Sequence, residues 1–290
     1  MIKITNHQIT EFRENGFIIV DKIIERSEID LLLERFDKIF YGEYETGLDP
    51  DEVNWKRGRD DDNLTRQICN GWKSDRYVAS VILQPAIGEA CARLGGWPGT
   101  RITQDNLLWK PSAGRPIGFH QDSSYEEFIM PNDWVSCWIA LDNTTAEGGT
   151  VEYVKGSHLW HKTGKIRQFH GPADPHEDLR EATKKMRVED FDTIKVEVPA
   201  GGGTFHSGWV WHGSDVNRRD VPRRTIVAHC MSSECKYNPN PKAINRTYSR
   251  YKRFGNLDMD ETDFPILWRE DGYASPFIQP YSARQLGWAE

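Results

Sequence analysis

The chain is 290 residues long and 38% apolar, enough to bury an ample core as one large domain or two small ones. A formal net charge of −7 argues against general binding to nucleic acid or to an anionic membrane surface. No stretch approaches the ~20 apolar residues of a membrane span, and the five cysteines (Cys69, Cys91, Cys137, Cys230, Cys235) are scattered without a C-x-x-C pair, which excludes a zinc ribbon or disulfide framework from the expected readings.

Met1 to Glu14 is polar and mixed in charge, unlike a signal peptide, so a cytoplasmic protein is expected. His7 to Asn15 reads as a short helix stopped at Gly16, and Phe17 to Val20 as a β-type run. Ser27 is expected to cap a helix whose apolar positions Ile29, Leu32, Leu33, Phe36 and Ile39 recur at helical spacing and belong to the core. An aspartate-rich loop, Asp49 to Asn63, precedes a second helix from about Asp75 to Leu94 that ends at Gly95-Gly96. From Arg101 onward the text changes to short β-type runs separated by turn residues: Ile102 to Trp109, Ile117 to Asp122, Val135 to Leu141, Thr150 to Val154, Ile194 to Val198, Thr204 to Phe205 and Thr225 to Met231. Such spacing predicts a sandwich or barrel. The expected organisation is a single domain, mainly β with flanking helices: helical support over about 1–100, a β-core over about 101–235 and a C-terminal extension over about 236–290.

His120-Gln121-Asp122 carries the chemistry. Two imidazoles and one carboxylate on one face of an octahedral metal hold Fe(II) and leave three positions open for a co-substrate and dioxygen. Written on a strand, an H-x-D places His120 and Asp122 on one face and Gln121 on the other. The same tripeptide pattern arises by chance, and His176-Glu177-Asp178 repeats it. That copy lies among Pro172, Pro175 and the charged run Asp178 to Arg187, which reads as a solvated loop or short helix. His120 instead follows a strand-like run and a turn cluster, Pro111 to Pro116.

His212 completes the set, in Trp211-His212-Gly213-Ser214, and Pro222-Arg223-Arg224 follows just before the run Thr225 to Met231. An enzyme binding 2-oxoglutarate needs this combination: a metal to chelate the C1 carboxylate and C2 keto oxygen, and a distant cation for the C5 carboxylate. Arginine suits that end because its planar fork makes paired charge-assisted hydrogen bonds. Adjacent strand residues face opposite ways, so only one of Arg223 and Arg224 can point inward. His206 and His229 compete with His212 for the distal position. His206 has no Gly-Ser after it, and His229 lies beyond the arginines; both read as structural histidines.

From Glu11 to the strand after Arg224 the chain resembles the phytanoyl-CoA dioxygenase (PhyH-like) branch of the Fe(II)/2-oxoglutarate-dependent oxygenases. The most telling piece is Gly118 to His158, similar to the family's run from H-x-D through W-x-A-L-D to P-G-S-H; Gly148 stands for the commoner Asn and Lys155 for Pro, both in turns. The resemblance implies a double-stranded β-helix (jelly-roll, cupin-like) core. It also implies His120, Asp122 and His212 as iron ligands, Arg223 as the grip on the 2-oxoglutarate C5 carboxylate, Ser214 as its supporting hydroxyl, and Gln121 and Trp138 as pocket lining. Trp138 reads equally well as a plain core residue. Asn106 and Arg66 fall where some members touch the co-substrate, and His158 resembles a turn residue. The cofactors implied are Fe(II), with 2-oxoglutarate and O2 as co-substrates; the reaction releases succinate and CO2 and oxidises an unactivated C–H bond. Related halogenases carry a small residue at the Asp122 position, so a carboxylate there implies hydroxylation or a similar oxidation.

A small, polar or charged metabolite is the expected substrate, lying between the segment around Trp55 to Trp72, Ser123 to Phe128 and the Gln168 to Arg187 insertion. Tyr125, Trp209 and Trp211 are candidate walls. The compact basic cluster Lys184-Lys185-Met186-Arg187 reads as a solvated helix face. Two other readings stay open: a cupin-like metal enzyme that does not use 2-oxoglutarate, and a silent binding domain on the same fold. The sequence leaves monomer and homodimer equally open.

Overall fold

The computed structural model describes residues 2–160 and 162–282. In chain order the elements are α1 (Asn6–Asn15), β1 (Phe17–Val20), α2 (Arg26–Phe40), β2 (Glu52–Val53), β3 (Arg66–Cys69), α3 (Arg76–Ile82), α4 (Pro85–Gly95), β4 (Gly99–Lys110), β5 (Ile117–His120), β6 (Ile129–Met130), β7 (Trp134–Ala140), β8 (Val151–Val154), α5 (Glu177–Met186), β9 (Thr193–Lys195), β10 (Gly203–Ser207), β11 (His212–Ser214), β12 (Arg223–Ser232), β13 (Lys236–Tyr237), β14 (Ile266–Arg269) and α6 (Gln279–Ser282).

Local chemistry sets the helix ends. Thr5 and Gln8 form a reciprocal capping box at α1, and Gly16, at φ 84°, closes its C-terminus. The α2 helix starts earlier than expected: Glu25 is the N-cap, its backbone N–H donating to Glu28 Oε2 at 2.7 Å, and Ser27 lies inside the first turn. The helix expected over Asp75 to Leu94 is two helices. Asp75 caps α3 by accepting from the amides of Tyr77 and Val78, and the break comes before Pro85, because a residue preceding proline is driven to extended backbone, as Gln84 is at ψ 127°. Pro85 then opens α4, where its missing N–H costs nothing.

Two antiparallel sheets form a jelly-roll core. The larger has the order β1-β10-β7-β12-β4-β3-β2, with β14 also on β4; the smaller has the order β5-β11-β8-β9. Alternation along the long strands separates two apolar layers. Val135, Cys137 and Ile139 of β7 and Ile226, Ala228 and Cys230 of β12 face the helices, where they join Ile29, Leu32, Phe36 and Ile39 of α2 and Ile87, Cys91 and Leu94 of α4. Each buried Val, Leu, Ile and Phe side chain among these contributes roughly 1.5–3 kcal/mol. Between the sheets lie Trp138, Ala140, Val151, Tyr153 and Val227. The inner layer is short, and polar residues continue it. On β12 the inward residues include Arg223, Thr225 and His229; β4, paired with it in the register Arg223↔Lys110 and Val227↔Asn106, contributes Asn106 and Lys110. Arg223, Asn106 and His229 of this inner layer, with Leu108 and Val227 among them, line the site.

Candidate metal centre and its two cavities

Strand β5 ends at His120, and Gln121 keeps extended backbone (φ −117°, ψ 120°) before Asp122 opens a 3-10 turn, Asp122–Tyr125. Asp122 is therefore not on the strand as expected, yet alternation persists through Gln121 and turns His120 and Asp122 the same way. Strand β11 lies beside β5 in the register His212↔His120. One ligand atom from each of His120, Asp122 and His212 lies within 4.8 Å of the other two, a spacing that fits a single metal ion. His120 Nε2 is 3.1 Å and His212 Nε2 3.5 Å from Asp122 Oδ1. Each imidazole turns its Nδ1 to the carbonyl two residues before it, at 2.8 Å from that of Gly118 and 3.1 Å from that of Val210. A carbonyl only accepts, so Nδ1 carries the proton and Nε2 presents its lone pair to the centre.

An outer ring of polar groups holds the carboxylate. His206 Nε2 donates to Asp122 Oδ2 at 3.3 Å, while the Tyr153 hydroxyl stands 2.8 Å from His206 Nδ1. On the other side Ser136 Oγ bridges His229 Nδ1 at 2.7 Å to Asp122 Oδ2 at 3.4 Å, and Asn106 Nδ2 donates to His229 Nε2 at 2.9 Å. His206 and His229 thus orient the site from behind Asp122, as the sequence suggested for structural histidines. Burial pushes the Asp122 carboxyl up, but the charge of His212 and the hydrogen bonds of His120 and His206 outweigh it and hold the group well below the usual carboxylate range. Burial, reinforced by the like charges of His120 and His206, holds the His212 imidazole well below its usual value even against Asp122. An ionised Asp122 and a neutral His212 are protonation states that suit a divalent metal.

An inner cavity of about 70 Å³ runs from this triad to Arg223 and Ser214, with Asn106, Leu108, Trp138, Val151 and Val227 among its lining residues. Arg223 is buried; its Nη1 donates to Thr225 Oγ1 at 3.2 Å and its Nη2 to the Gly149 carbonyl at 3.1 Å, and its Nε has no partner. Burial lowers its pKa to about 10. Arg224 faces away and is tied to Asp142 by Nε at 3.0 Å and Nη2 at 2.8 Å, which settles which arginine points inward. Lys110, which the sequence did not single out, is fully buried and donates from Nζ to Ser214 Oγ at 2.7 Å and to the Asp215 carbonyl. Burial, with Arg223 nearby, drives its pKa well below normal. No carboxylate lies within ion-pair distance of Arg223 or Lys110 among the described residues.

Other expected residues go elsewhere. Gln121 lines neither cavity: its Nε2 donates to the Trp209 carbonyl at 2.7 Å, and its Oε1 accepts from Thr163 N–H and Oγ1 at 3.0 and 2.8 Å. Arg66 is sandwiched between the Trp55 and Trp109 rings, 3.8 and 4.7 Å from their centroids, and also lines neither. His176 stacks on Phe119 at 4.3 Å before α5, and Glu177 pairs with Arg167 at 2.6 Å, and among the described residues the second H-x-D joins no metal cluster. Lys184 and Lys185 lie exposed in the last turn of α5.

An outer cavity of about 480 Å³ opens from His120 and Asp122. Gln67, Cys69, Tyr125, Glu126, Phe169 and His170 line it, from the three segments expected to enclose a substrate, while Trp209 and Trp211 do not. The C-terminal extension supplies a wall that the sequence did not reveal, Ile244 to Tyr248. Tyr248 is held there by a hydrogen bond to Gln104, and Thr247 by one to Glu52.

A family model described as "Phytanoyl-CoA dioxygenase (PhyH)" matches residues 12–225. Among curated proteins, a probable alpha-ketoglutarate-dependent hypophosphite dioxygenase of Stutzerimonas stutzeri is 22% identical over 224 residues, 76% of each chain. The peroxisomal phytanoyl-CoA dioxygenase of Rattus norvegicus is 22% identical over 275 residues, 87% of this chain and 78% of that one. Among solved structures, the non-heme alpha ketoglutarate dependent carbocyclase SnoK of nogalamycin biosynthesis superposes with a TM-score of 0.70 at 20% identity, covering 91% of this chain and 96% of that one. No helix among the described residues is long and apolar enough to cross a membrane. With the family model spanning most of the chain and the triad assembled in the jelly roll, the chain belongs to the phytanoyl-CoA dioxygenase (PhyH) family, a branch of the Fe(II)/2-oxoglutarate-dependent oxygenases.

Proposed function

We propose that this oxygenase hydroxylates an unactivated C–H bond of a small metabolite held in the outer cavity, converting 2-oxoglutarate to succinate and CO2. The observation that carries the reading is the buried guanidinium of Arg223 at the far end of the inner cavity, with the buried Lys110 behind it on Ser214. Arg223 and Lys110 lie together without a carboxylate partner, and Arg223 Nε is unsatisfied. Buried charge of one sign is costly unless an anion joins it, and a dicarboxylate reaching from the triad supplies one.

His120, Asp122 and His212 would hold the iron. Bound Fe(II) supplies the activation of dioxygen and, with 2-oxoglutarate as reductant, the transfer of one oxygen atom to the substrate. The protein's part is positional. Arg223 and Ser214, the latter held by Lys110, fix the distal carboxylate, Leu108, Trp138, Val151 and Val227 keep water from the chain between, and His206 and Ser136 hold Asp122 Oδ2 so that Oδ1 stays on the metal side. Hydroxylation is favoured over halogenation because Asp122 occupies the ligand position with a carboxylate. The same fold serves a carbocyclase in SnoK, so the outcome needs its own test. The Fe(II) protein turning over under ¹⁸O₂ with a screened substrate should form one succinate per product alcohol and place one ¹⁸O in that alcohol. Substrate oxidation without label in the product, or without 2-oxoglutarate consumption, overturns the reading.

A further inference from the structure

On the oxygenase reading above, the outer cavity receives the primary substrate, and one of its walls carries a group that neither iron nor co-substrate uses. Glu126 lines this cavity and is only 4% exposed. Its Oε2 is sealed from solvent with no hydrogen-bond partner. Among the described residues no ion pair reaches the carboxylate, Lys165 included. Burial pushes the carboxyl well above its usual range; the charge of Asp122 adds to this and Lys165 opposes it. A buried, unpaired acid is costly to the fold, and nothing in the packing around it repays that cost.

The surroundings of Glu126 narrow what would. Tyr125, Trp134, Phe169 and Tyr248 line the same cavity, and aromatic faces attract cations through their quadrupoles. The two basic residues on the lining, Lys165 and Arg246, are exposed, and Lys165 sets its Nζ 5.5 Å from the Tyr125 ring centroid without reaching the buried acid. An inner carboxylate among aromatic rings recognises a positively charged nitrogen that has N–H groups to donate. We propose that Glu126 sets substrate specificity by pairing with a protonated amine or guanidinium of the substrate. Glu126 follows directly on the 3-10 turn that Asp122 begins, so the pairing anchors the charged nitrogen on the metal side of the cavity.

The test is calorimetric titration of the Fe(II)- and 2-oxoglutarate-loaded protein under argon with two matched pairs, n-butylguanidine against n-butylurea and n-pentylamine against n-pentanol, together with agmatine. In the wild type, at least one cationic probe should bind tenfold or more tighter than its neutral match. Glu126→Gln should erase that preference to within about twofold while the 2-oxoglutarate affinity, titrated separately, stays at the wild-type value. Equal binding of both members of each pair, a preference that survives Glu126→Gln, or no binding by any cationic probe while 2-oxoglutarate still binds overturns the proposal. Failure of 2-oxoglutarate to bind the Fe(II) protein counts against the oxygenase reading instead, and the probe preference of the metal-loaded wild type then still decides the role of Glu126.

Discussion

Arg223 and Arg224 are neighbours in sequence with opposite duties. Replacing Arg223 with Leu should weaken 2-oxoglutarate binding about 100-fold, as expected for removing a buried charge-assisted pair, with little change in melting temperature. The same change at Arg224 removes its partly buried pairing with Asp142 and should cost about 1 kcal/mol of stability while leaving 2-oxoglutarate affinity within a few-fold. If the two variants behave alike, the assignment of the inward arginine fails. Among the ligands, His212→Ala and Asp122→Ala should each abolish metal-dependent succinate formation, and activity surviving both would remove the triad from the account. The resemblance made these residues legible, since they sit in short contiguous motifs. Lys110 was not legible: it comes beside Arg223 and Ser214 only because β4 pairs with β12 in the one register that sets it opposite Arg223. Glu126 was hidden for a similar reason, the walls of its cavity being brought from stretches far apart in the chain.

At the scale of elements, the period-2 runs of β4, β7 and β12 were readable because alternating apolar residues feed two different layers. Strand β3 was not, because Arg-Gln-Ile-Cys carries no β-type pattern and forms only by adding to the edge of β4. The break between α3 and α4 was written in Pro85, whose effect on Gln84 outweighs the helical periodicity around it. Asp105 of β4 links these regions by accepting from the Gly71 and Trp72 amides at 3.0 and 2.8 Å. Burial raises its pKa to about 7, which the two amide hydrogen bonds only partly offset. The folded chain therefore holds this proton when the unfolded chain, with an aspartate near the usual ~3.9, has lost it. The contribution to stability is fully present at low pH and is lost as pH rises through about 7. Thermal melts of the metal-free protein and of Asp105→Asn should show the wild type losing stability relative to the variant between pH 5.5 and 8. A gap that is constant, or that moves the other way, contradicts the assignment.

For the whole molecule, the C-terminal extension is part of the site rather than an appendage. Asp51, nearly buried, gathers Asn70 Nδ2 at 2.6 Å, Lys73 Nζ at 3.2 Å, and the side chains of Tyr251 and Arg250, pinning the extension to the N-terminal region beside the outer cavity. Asp51→Asn strips the charge from this cluster and should cost about 3 kcal/mol. It should also speed tryptic cleavage between 242 and 253, and an unchanged digestion pattern would detach the extension from the cavity wall. The central claim is that one chelated dicarboxylate spans the triad and the buried Arg223. Anaerobic addition of 2-oxoglutarate to the Fe(II) protein tests it most directly. A metal-to-ligand charge-transfer band should appear and saturate at one equivalent, with the midpoint about 100-fold higher in Arg223→Leu and the band absent in His212→Ala. A wild-type protein that binds Fe(II) but develops no band, or a band indifferent to Arg223, would contradict the account.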